Sequence, residues 1–344
     1  MLEIGFLKLH LKVRLIHRRN WVSCIAKVRA SNKTIPSPNS GFLKLPLKVM
    51  LKHNLGSMYQ TGMGVKQDSG KAHDWYLKAA SQGHAEAQAQ LGVMYSEGQG
   101  VKHDFVKAHG WFLKASSQGN VEGQFGLGGV YYHGDGAKQN YSKAQEWWLK
   151  AASQGDVRAQ GSLGLLCLTV KKDYVKARDW FLKAASQGDA HAQYSLGMIY
   201  LNGQGVKQDD VIARDWFLKA ASQGDAHAQY SLGMIYLNGQ GVKQDDVIAR
   251  DWFLKAAAQG DVDSQAQLGV MYHGGQGGMK QNFVKARECY TKAASQGHAQ
   301  TQFNLGILYY NGQGVKKDVA KAREWWYKAA AQGHDEAQQN ISNT

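Results

Sequence analysis

The sequence predicts an all-α protein, a right-handed α-solenoid of about eight antiparallel helix pairs with a 36-residue period. Three observations support this prediction. The dipeptide Leu-Gly recurs eight times at a nearly constant spacing. The apolar residues between these dipeptides follow the spacing of helices rather than that of strands. The 344 residues include 40 glycines and only three prolines, so glycine marks most of the breaks between helices.

The period can be measured on the Leu-Gly dipeptides. They begin at Leu55, Leu91, Leu127, Leu163, Leu196, Leu232, Leu268 and Leu305. Five of the seven intervals are 36 residues long, the interval after Leu163 is 33, and the last interval is 37. Residues 177–221 and 213–257 are identical over 45 positions. At least one unit is therefore a recent copy of its neighbour.

Each repeat unit contains two helical patterns. Apolar residues of the first pattern recur at every fourth position, as in Ala87, Leu91 and Tyr95. Those of the second pattern recur at spacings of three and four, as in Ala72, Trp75, Tyr76 and Ala79. Gly98 and Gly100 end the first pattern, and Asp104 can cap the helix that follows. Helices of about 13 residues are too short to bury an apolar stripe alone, whereas stacked pairs bury it against each other.

These positions together carry a family resemblance. The unit A-Q-x-x-L-G-x-M-Y-x-x-G-x-G-V-x-x-D-x-x-K-A-x-x-W-x-x-K-A-A-x-Q-G resembles the Sel-one-like repeat, a relative of the tetratricopeptide repeat. The resemblance extends from Asn54 to about Ile341. It implies an α-superhelix that acts as a scaffold for protein–protein interaction, and it names no partner. It also favours a periplasmic or secreted bacterial protein, although the N-terminus as written shows no secretory signal.

The composition divides the chain into residues 1–53 and residues 54–344. Residues 1–54 carry eleven Lys or Arg, one acid and all three prolines. The segments 5–15 and 41–51 resemble each other and lie 36 residues apart, the period of the array, yet they lack its motif. Our hypothesis is that residues 1–53 are an out-of-frame translation of repeat DNA and are poorly ordered. The nucleotide sequence can test this. We expect the array over 54–344, with a short C-terminal cap from residue 334.

No catalytic, cofactor-binding or metal site is expected from the motifs. The Gly-Gln-Gly-Val-Lys segments follow a helix, whereas a phosphate loop follows a strand and ends in Lys-Ser or Lys-Thr. Four histidines fall at turns or caps (His84, His103, His298 and His334), and His191 and His227 repeat one unit apart, so we expect no metal site from them. The glutamines three residues before each Leu are expected to bridge helices. Seven tryptophans are expected to pack between repeats: Trp75, Trp111, Trp148, Trp180, Trp216, Trp252 and Trp325.

The resemblance also implies where a ligand binds. In tetratricopeptide relatives the first helix of each pair lines a groove, through positions two before and five or six after the Leu. The matching candidates here are Phe125, Tyr132, Tyr194, Asn202, Tyr230, Asn238, Phe303, Tyr310 and Asn311. Aromatic rings and Asn side chains suit an extended peptide, because Asn can pair with its backbone. The alternative is that these residues only pack against the next repeat.

The function expected from these features is a non-enzymatic scaffold for an unidentified protein or peptide. A second class is a hydrolase, because a cysteine-rich branch of the family is linked to β-lactam hydrolysis. That branch pairs its cysteines, whereas this array has only Cys167 and Cys289. A third class binds nucleic acid or anionic membranes through the basic segment, but no nucleic acid is expected if that segment is out of frame. No stretch is long and apolar enough to suggest a membrane span.

Overall fold

A computed structural model describes residues 44–344, with side chains from Lys48 onward. This part of the chain forms 17 α-helices and no strand. They are α1 (Lys44–Thr61), α2 (Ser69–Ala80), α3 (Ala85–Glu97), α4 (Phe105–Ser117), α5 (Val121–His133), α6 (Tyr141–Ser153), α7 (Val157–Thr169), α8 (Tyr174–Ser186), α9 (Ala190–Asn202), α10 (Asp210–Ser222), α11 (Ala226–Asn238), α12 (Asp246–Ala258), α13 (Val262–Gly274), α14 (Phe283–Ser295), α15 (Ala299–Asn311), α16 (Val319–Ala330) and α17 (Asp335–Ser342). The predicted all-α array of helix pairs is confirmed.

The described part of the chain forms two compact units, one that ends at His103 and one that spans residues 104–344. In the described part of the first unit, α2 packs against both α1 and α3. In the second unit, every helix from α4 to α16 packs against the next helix along the chain. Helix α1 crosses the predicted boundary at residue 53. The expectations for residues 1–43 lie outside the described residues.

Both kinds of helix end have a local chemical cause. Second helices begin after an Asp or Asn whose side chain accepts a hydrogen bond from the first turn, as Asp209 Oδ1 does from the amide of Ile212 at 2.9 Å. First helices end at a glycine in the left-handed region, such as Gly203 with φ of 64°. These caps explain the near-constant helix lengths.

The turn that follows α7, in the shortened repeat, has a different backbone conformation. Helix α7 ends at Val170 in the right-handed region, whereas α5, α9, α11, α13 and α15 end at glycine. Lys172 then takes a φ of 55°, and it is the one non-glycine residue with positive φ in the described chain. Loss of the Gly-x-Gly turn therefore leaves a side chain in a conformation that favours glycine.

The core of each repeat forms where a second-helix aromatic residue meets the Leu-Gly dipeptide. Leu232 and Phe253 are both fully buried. A Cβ added to Gly233 would lie 2.4 Å from the Phe253 ring, a distance that real Cβ atoms do not reach. The glycine thus lets an aromatic ring lie against the backbone of the first helix. The same contact joins Gly197 to Phe217 and Gly306 to Trp326.

The tryptophans pack between repeats as expected, but one of them was assigned to the wrong position. Trp216 packs against the cluster around Phe181, in the preceding repeat, and stays half-buried. Lys219 covers its outer face, with Nζ 3.9 Å from the ring centroid. In the repeat with two adjacent tryptophans, Trp147 holds this half-buried position and Trp148 is the buried core aromatic. The predicted equivalence of Trp148 with Trp216 is therefore wrong by one residue.

The glutamines that recur three residues before each Leu form a chain of hydrogen bonds that we call the glutamine ladder. Gln229, which is 6% exposed, donates through Nε2 to the carbonyl of Ala221 on α10 at 3.3 Å. Its Oε1 accepts from Nε2 of Gln259, which follows α12, at 2.9 Å. One buried amide thus links three consecutive helices. The same side-chain pairing joins Gln154–Gln124, Gln187–Gln160, Gln223–Gln193, Gln259–Gln229, Gln296–Gln265 and Gln332–Gln302. The predicted bridging role is confirmed.

We expect a glycine-to-alanine substitution to lower the free energy of unfolding at one helical glycine and to raise it at another. Gly233→Ala should lower the free energy of unfolding by about 1–3 kcal/mol, because the new methyl group overlaps the Phe253 ring. Gly129→Ala is the matched control, since no atom lies within 4 Å of its Cβ position. It should raise stability by about 0.5–1 kcal/mol, because alanine favours the helix. Urea unfolding of both variants tests this, and equal effects would contradict the packing argument.

The glutamine ladder can be tested by replacing one glutamine with an apolar side chain of similar length. Gln229→Met removes both hydrogen bonds and leaves the Ala221 carbonyl without its side-chain donor, so stability should fall by about 1–3 kcal/mol. The control is Gln208→Met at an exposed turn, where we expect a change within about 0.5 kcal/mol. A Gln229→Met protein as stable as the control would show that the ladder contributes little.

Candidate functional site

The candidate residues lie on the first helices of the second unit. Helix α5 carries Phe125 and Tyr132, α9 carries Tyr194, and α11 carries Tyr230. Helix α15 carries Phe303 and Tyr310. All six aromatic side chains are half-buried, whereas the three asparagines at the helix ends are exposed: Asn202, Asn238 and Asn311. The rings therefore keep part of their surface open to solvent.

Each ring also touches the core of its own repeat. The Tyr194 and Phe217 ring centroids are 5.7 Å apart, and those of Tyr230 and Phe253 are 5.8 Å apart. Tyr310 lies 5.5 Å from Trp326 in the same way. Packing and exposure thus coexist in these residues, because a residue two before the buried Leu lies at the edge of the buried stripe. Packing within the repeat therefore accounts for part of the surface of each ring.

Two cavities open among these first helices. The larger has a volume of ≈ 300 Å³ and is lined by Tyr194, Met198 and Leu201 of α9 and by His227, Tyr230 and Met234 of α11, among others. The smaller, of ≈ 140 Å³, lies beside it and is lined by Tyr230, His298 and Thr301, among others. Asp263 of α13 lines both. Two of the predicted residues, Tyr194 and Tyr230, therefore share a cavity, while Phe125, Tyr132, Phe303 and Tyr310 lie outside both.

The residues that sequence analysis missed are Asp263 and His227. Both are the second residue of a first helix, a position that holds Glu122, Arg158, His191, His227, Asp263 and Gln300 in successive repeats. This position faces the aromatic residue of the preceding repeat: the His227 ring lies 5.9 Å from that of Tyr194. The available signal was its unusual variation in charge within an otherwise regular array.

The charge in the cavities is negative. No Lys or Arg is among the residues lining either one. Asp263 Oδ1 lies 3.6 Å from Nε2 of His298, an ion pair only when the imidazole is protonated. Burial raises the pKa of Tyr230, and the nearby charges of Asp263 and Asp261 raise it further. An anionic ligand would meet repulsion here, whereas a cationic ligand would not.

The Sel1 repeat model of known families matches the chain eight times. The matched residues are 52–84, 85–120, 121–156, 159–189, 190–225, 226–261, 262–298 and 299–334. The chain belongs to the Sel1 repeat family. Proteins of this family are helical repeat scaffolds, generally non-catalytic, and their fold typically mediates protein–protein interaction.

Two solved structures show similar Sel1 repeat arrays. One is c5321, a protective antigen present in uropathogenic Escherichia coli strains, which is 35% identical with a TM-score of 0.60 over 86% of this chain and 71% of that chain. The other is a Sel1 repeat protein from Oxalobacter formigenes, 30% identical with a TM-score of 0.69 over 90% of this chain and 95% of that chain. A comparison with curated proteins finds no match.

One pair of Sel1 repeats shows how this face accommodates a cation from the chain itself. The guanidinium carbon of Arg158 lies 4.3 Å from the Phe125 ring centroid. Its nitrogens donate to both oxygens of Glu122, at 3.1 and 2.8 Å, and to Asp156 Oδ2 at 2.8 Å. Burial lowers the pKa of Arg158, but these hydrogen bonds outweigh it and hold the pKa above its usual value. Phe303 is covered instead by the His334 ring, at 4.6 Å.

The described repeats show little that could bind a metal or act as a nucleophile. Across residues 44–344, no three His, Cys, Asp or Glu side chains are grouped as metal ligands. Cys167 and Cys289 are free thiols, and burial raises the pKa of both, which disfavours the reactive thiolate. Within the same range no helix is long and apolar enough to cross a membrane.

Proposed function

We propose that this Sel1 repeat protein is a non-enzymatic adaptor that binds an extended peptide segment of a partner protein along its first helices. The ≈ 300 Å³ cavity between α9 and α11 carries the proposal. It opens where the Tyr194 and Tyr230 rings are half-exposed, so a peptide side chain can enter and cover apolar surface. Aromatic residues of this kind are the usual anchors of protein interfaces.

The exposed asparagines support an extended ligand rather than a globular one. Asn202 and Asn238 end α9 and α11 at equivalent positions, one period apart, and Asn311 ends α15. Each side-chain amide can both donate to and accept from a peptide backbone. Asn202 directly follows Leu201, which lines the larger cavity, and rings and amides on one helix suit a ligand that presents side chains and main chain alternately, as an extended peptide does.

Peptide selection with matched aromatic substitutions tests this proposal. Peptides selected from a random library on the full chain should lose at least about tenfold in affinity for a Tyr194→Ala, Tyr230→Ala double variant, since each ring is an interface anchor. The control is Tyr327→Ala, which removes a 54% exposed ring on a second helix and should leave affinity unchanged. Circular dichroism checks that the variants fold. Equal loss in both would place peptide binding elsewhere.

Catalysis is not part of this proposal. The β-lactam-hydrolysing alternative rests on paired cysteines, and here Cys167 is buried within the core of its repeat while Cys289 packs against the neighbouring core cluster. We expect the purified chain to hydrolyse nitrocefin no faster than a Cys167→Ala, Cys289→Ala variant, because a nucleophilic thiol needs exposure and a lowered pKa. Turnover that the double variant lacks would reinstate the hydrolase alternative.

A further inference from the structure

The Arg158 arrangement provides an internal template for what this face binds. Arg158 stacks on Phe125 and pairs with Asp156, which caps α7, and with Glu122. Asp156 divides its two oxygens: Oδ1 accepts from the amide of Ala159 at 2.8 Å, and Oδ2 accepts from the guanidinium. An aromatic ring, a capping aspartate and a second acid thus hold one guanidinium.

The ring and the capping aspartate recur around Tyr230 without a guanidinium, and His227 holds the position of Glu122. Tyr230 occupies the position of Phe125, Asp261 caps α13 as Asp156 caps α7, and Asp263 stands where Arg158 stands. Asp261 Oδ1 accepts from the amide of Ser264 at 2.8 Å. Asp261 Oδ2 has the His227 imidazole 3.9 Å away, which is too far for a hydrogen bond. The capping acid is retained, the position of Glu122 holds His227, and the internal cation is replaced by a second carboxylate.

We propose that the ≈ 300 Å³ cavity binds an arginine side chain of the partner peptide, with the guanidinium against Asp263 and the Tyr230 ring. The methylene stem of the arginine can lie against Tyr194, Met198 and Met234, which line the same cavity. The guanidinium would then stack on a ring and pair with a carboxylate, as Arg158 does within the chain. This inference rests on the proposed peptide-binding function and names the chemistry of its ligand.

The distribution of charge favours a cation over other occupants. Most of the formal net charge of +14 lies in residues 1–54, and residues 55–344 carry 30 Lys or Arg and 26 Asp or Glu, so the repeats have little net charge to repel a cation. The residues lining the two described cavities include Asp263 and no Lys or Arg. The Asp263 side chain is 57% exposed, so it remains accessible to a partner. Arginine suits the site better than lysine, because a planar guanidinium stacks on a ring and pairs with a carboxylate at the same time.

Two peptide pools that differ in one atom type test the inference. Both are fluorescent random peptide pools without other charged residues; one has a central arginine and the other has citrulline, its uncharged analogue. Fluorescence anisotropy on the full chain at physiological ionic strength should show the arginine pool binding about tenfold more tightly. Asp263→Asn should abolish that preference. The control is Asp135→Asn, which removes one charge from an exposed turn and should keep it.

A second variant tests the comparison with Arg158 directly. Asp263→Arg should place a guanidinium over Tyr230, as Arg158 lies over Phe125, and should exclude the arginine pool. Its thermal unfolding shows whether the fold is retained.

The outcomes separate the inference from the function on which it rests. Equal binding of the two pools, or a preference that survives Asp263→Asn, overturns the arginine site. If that binding is still lost in the Tyr194→Ala, Tyr230→Ala variant, the peptide-binding proposal stands. If neither pool binds the wild-type chain, the arginine site is overturned, and peptides from random selection that do bind would show that the groove prefers another chemistry.

Discussion

The contact between a second-helix aromatic ring and the glycine of Leu-Gly is the constraint on which each repeat depends. With no side chain at Gly233, the Phe253 ring lies directly against the backbone of α11. This close approach determines which face of the first helix is buried, and therefore which residues lie at its edge. Tyr230 lies at that edge because it is three residues before Gly233 on the same helix, with one side against the core. The candidate site is thus a geometric consequence of the packing contact.

The glutamine ladder fixes the relative register of the helices, which the aromatic contact alone does not. Aromatic packing is tolerant of small rotations, whereas an amide that donates to one helix and accepts from another fixes three helices in one register. Gln229 is almost fully buried and both of its polar ends are paired, so a slipped register would leave polar groups unsatisfied in the interior. Hydrogen bonds of this kind contribute modestly to net stability but strongly penalise alternative arrangements.

Most of the fold could be predicted because its determinants are local and repeated. Helix ends follow from Asp and Gly at fixed offsets, and the bridging glutamines could be recognised by recurrence. The error over Trp148 has a physical cause: two adjacent aromatic residues both fit a helical stripe, and only packing against the neighbouring helix decides which one is buried. The positive φ of Lys172 could not be predicted either, because the loss of the Gly-x-Gly turn does not show which remaining residue takes that conformation. Of the candidate site, Tyr194 and Tyr230 were predicted through family resemblance, whereas Asp263 and His227 were not, since each belongs to the repeat after the ring that it faces.

This dependence on the next repeat explains how two identical units produce different sites. Residues 177–221 and 213–257 share every residue, so the surroundings that each copy supplies to its own first helix are the same. Tyr194 nevertheless faces His227, whereas the equivalent Tyr230 faces Asp263, because the repeat that follows the second copy differs. Duplication of a unit therefore preserves the packing contacts within a repeat and against its neighbours, and still changes the residue that faces the half-buried ring at the junction. If the proposed peptide site is real, the second residue of each first helix is where its specificity can change, because the core leaves that position free to vary.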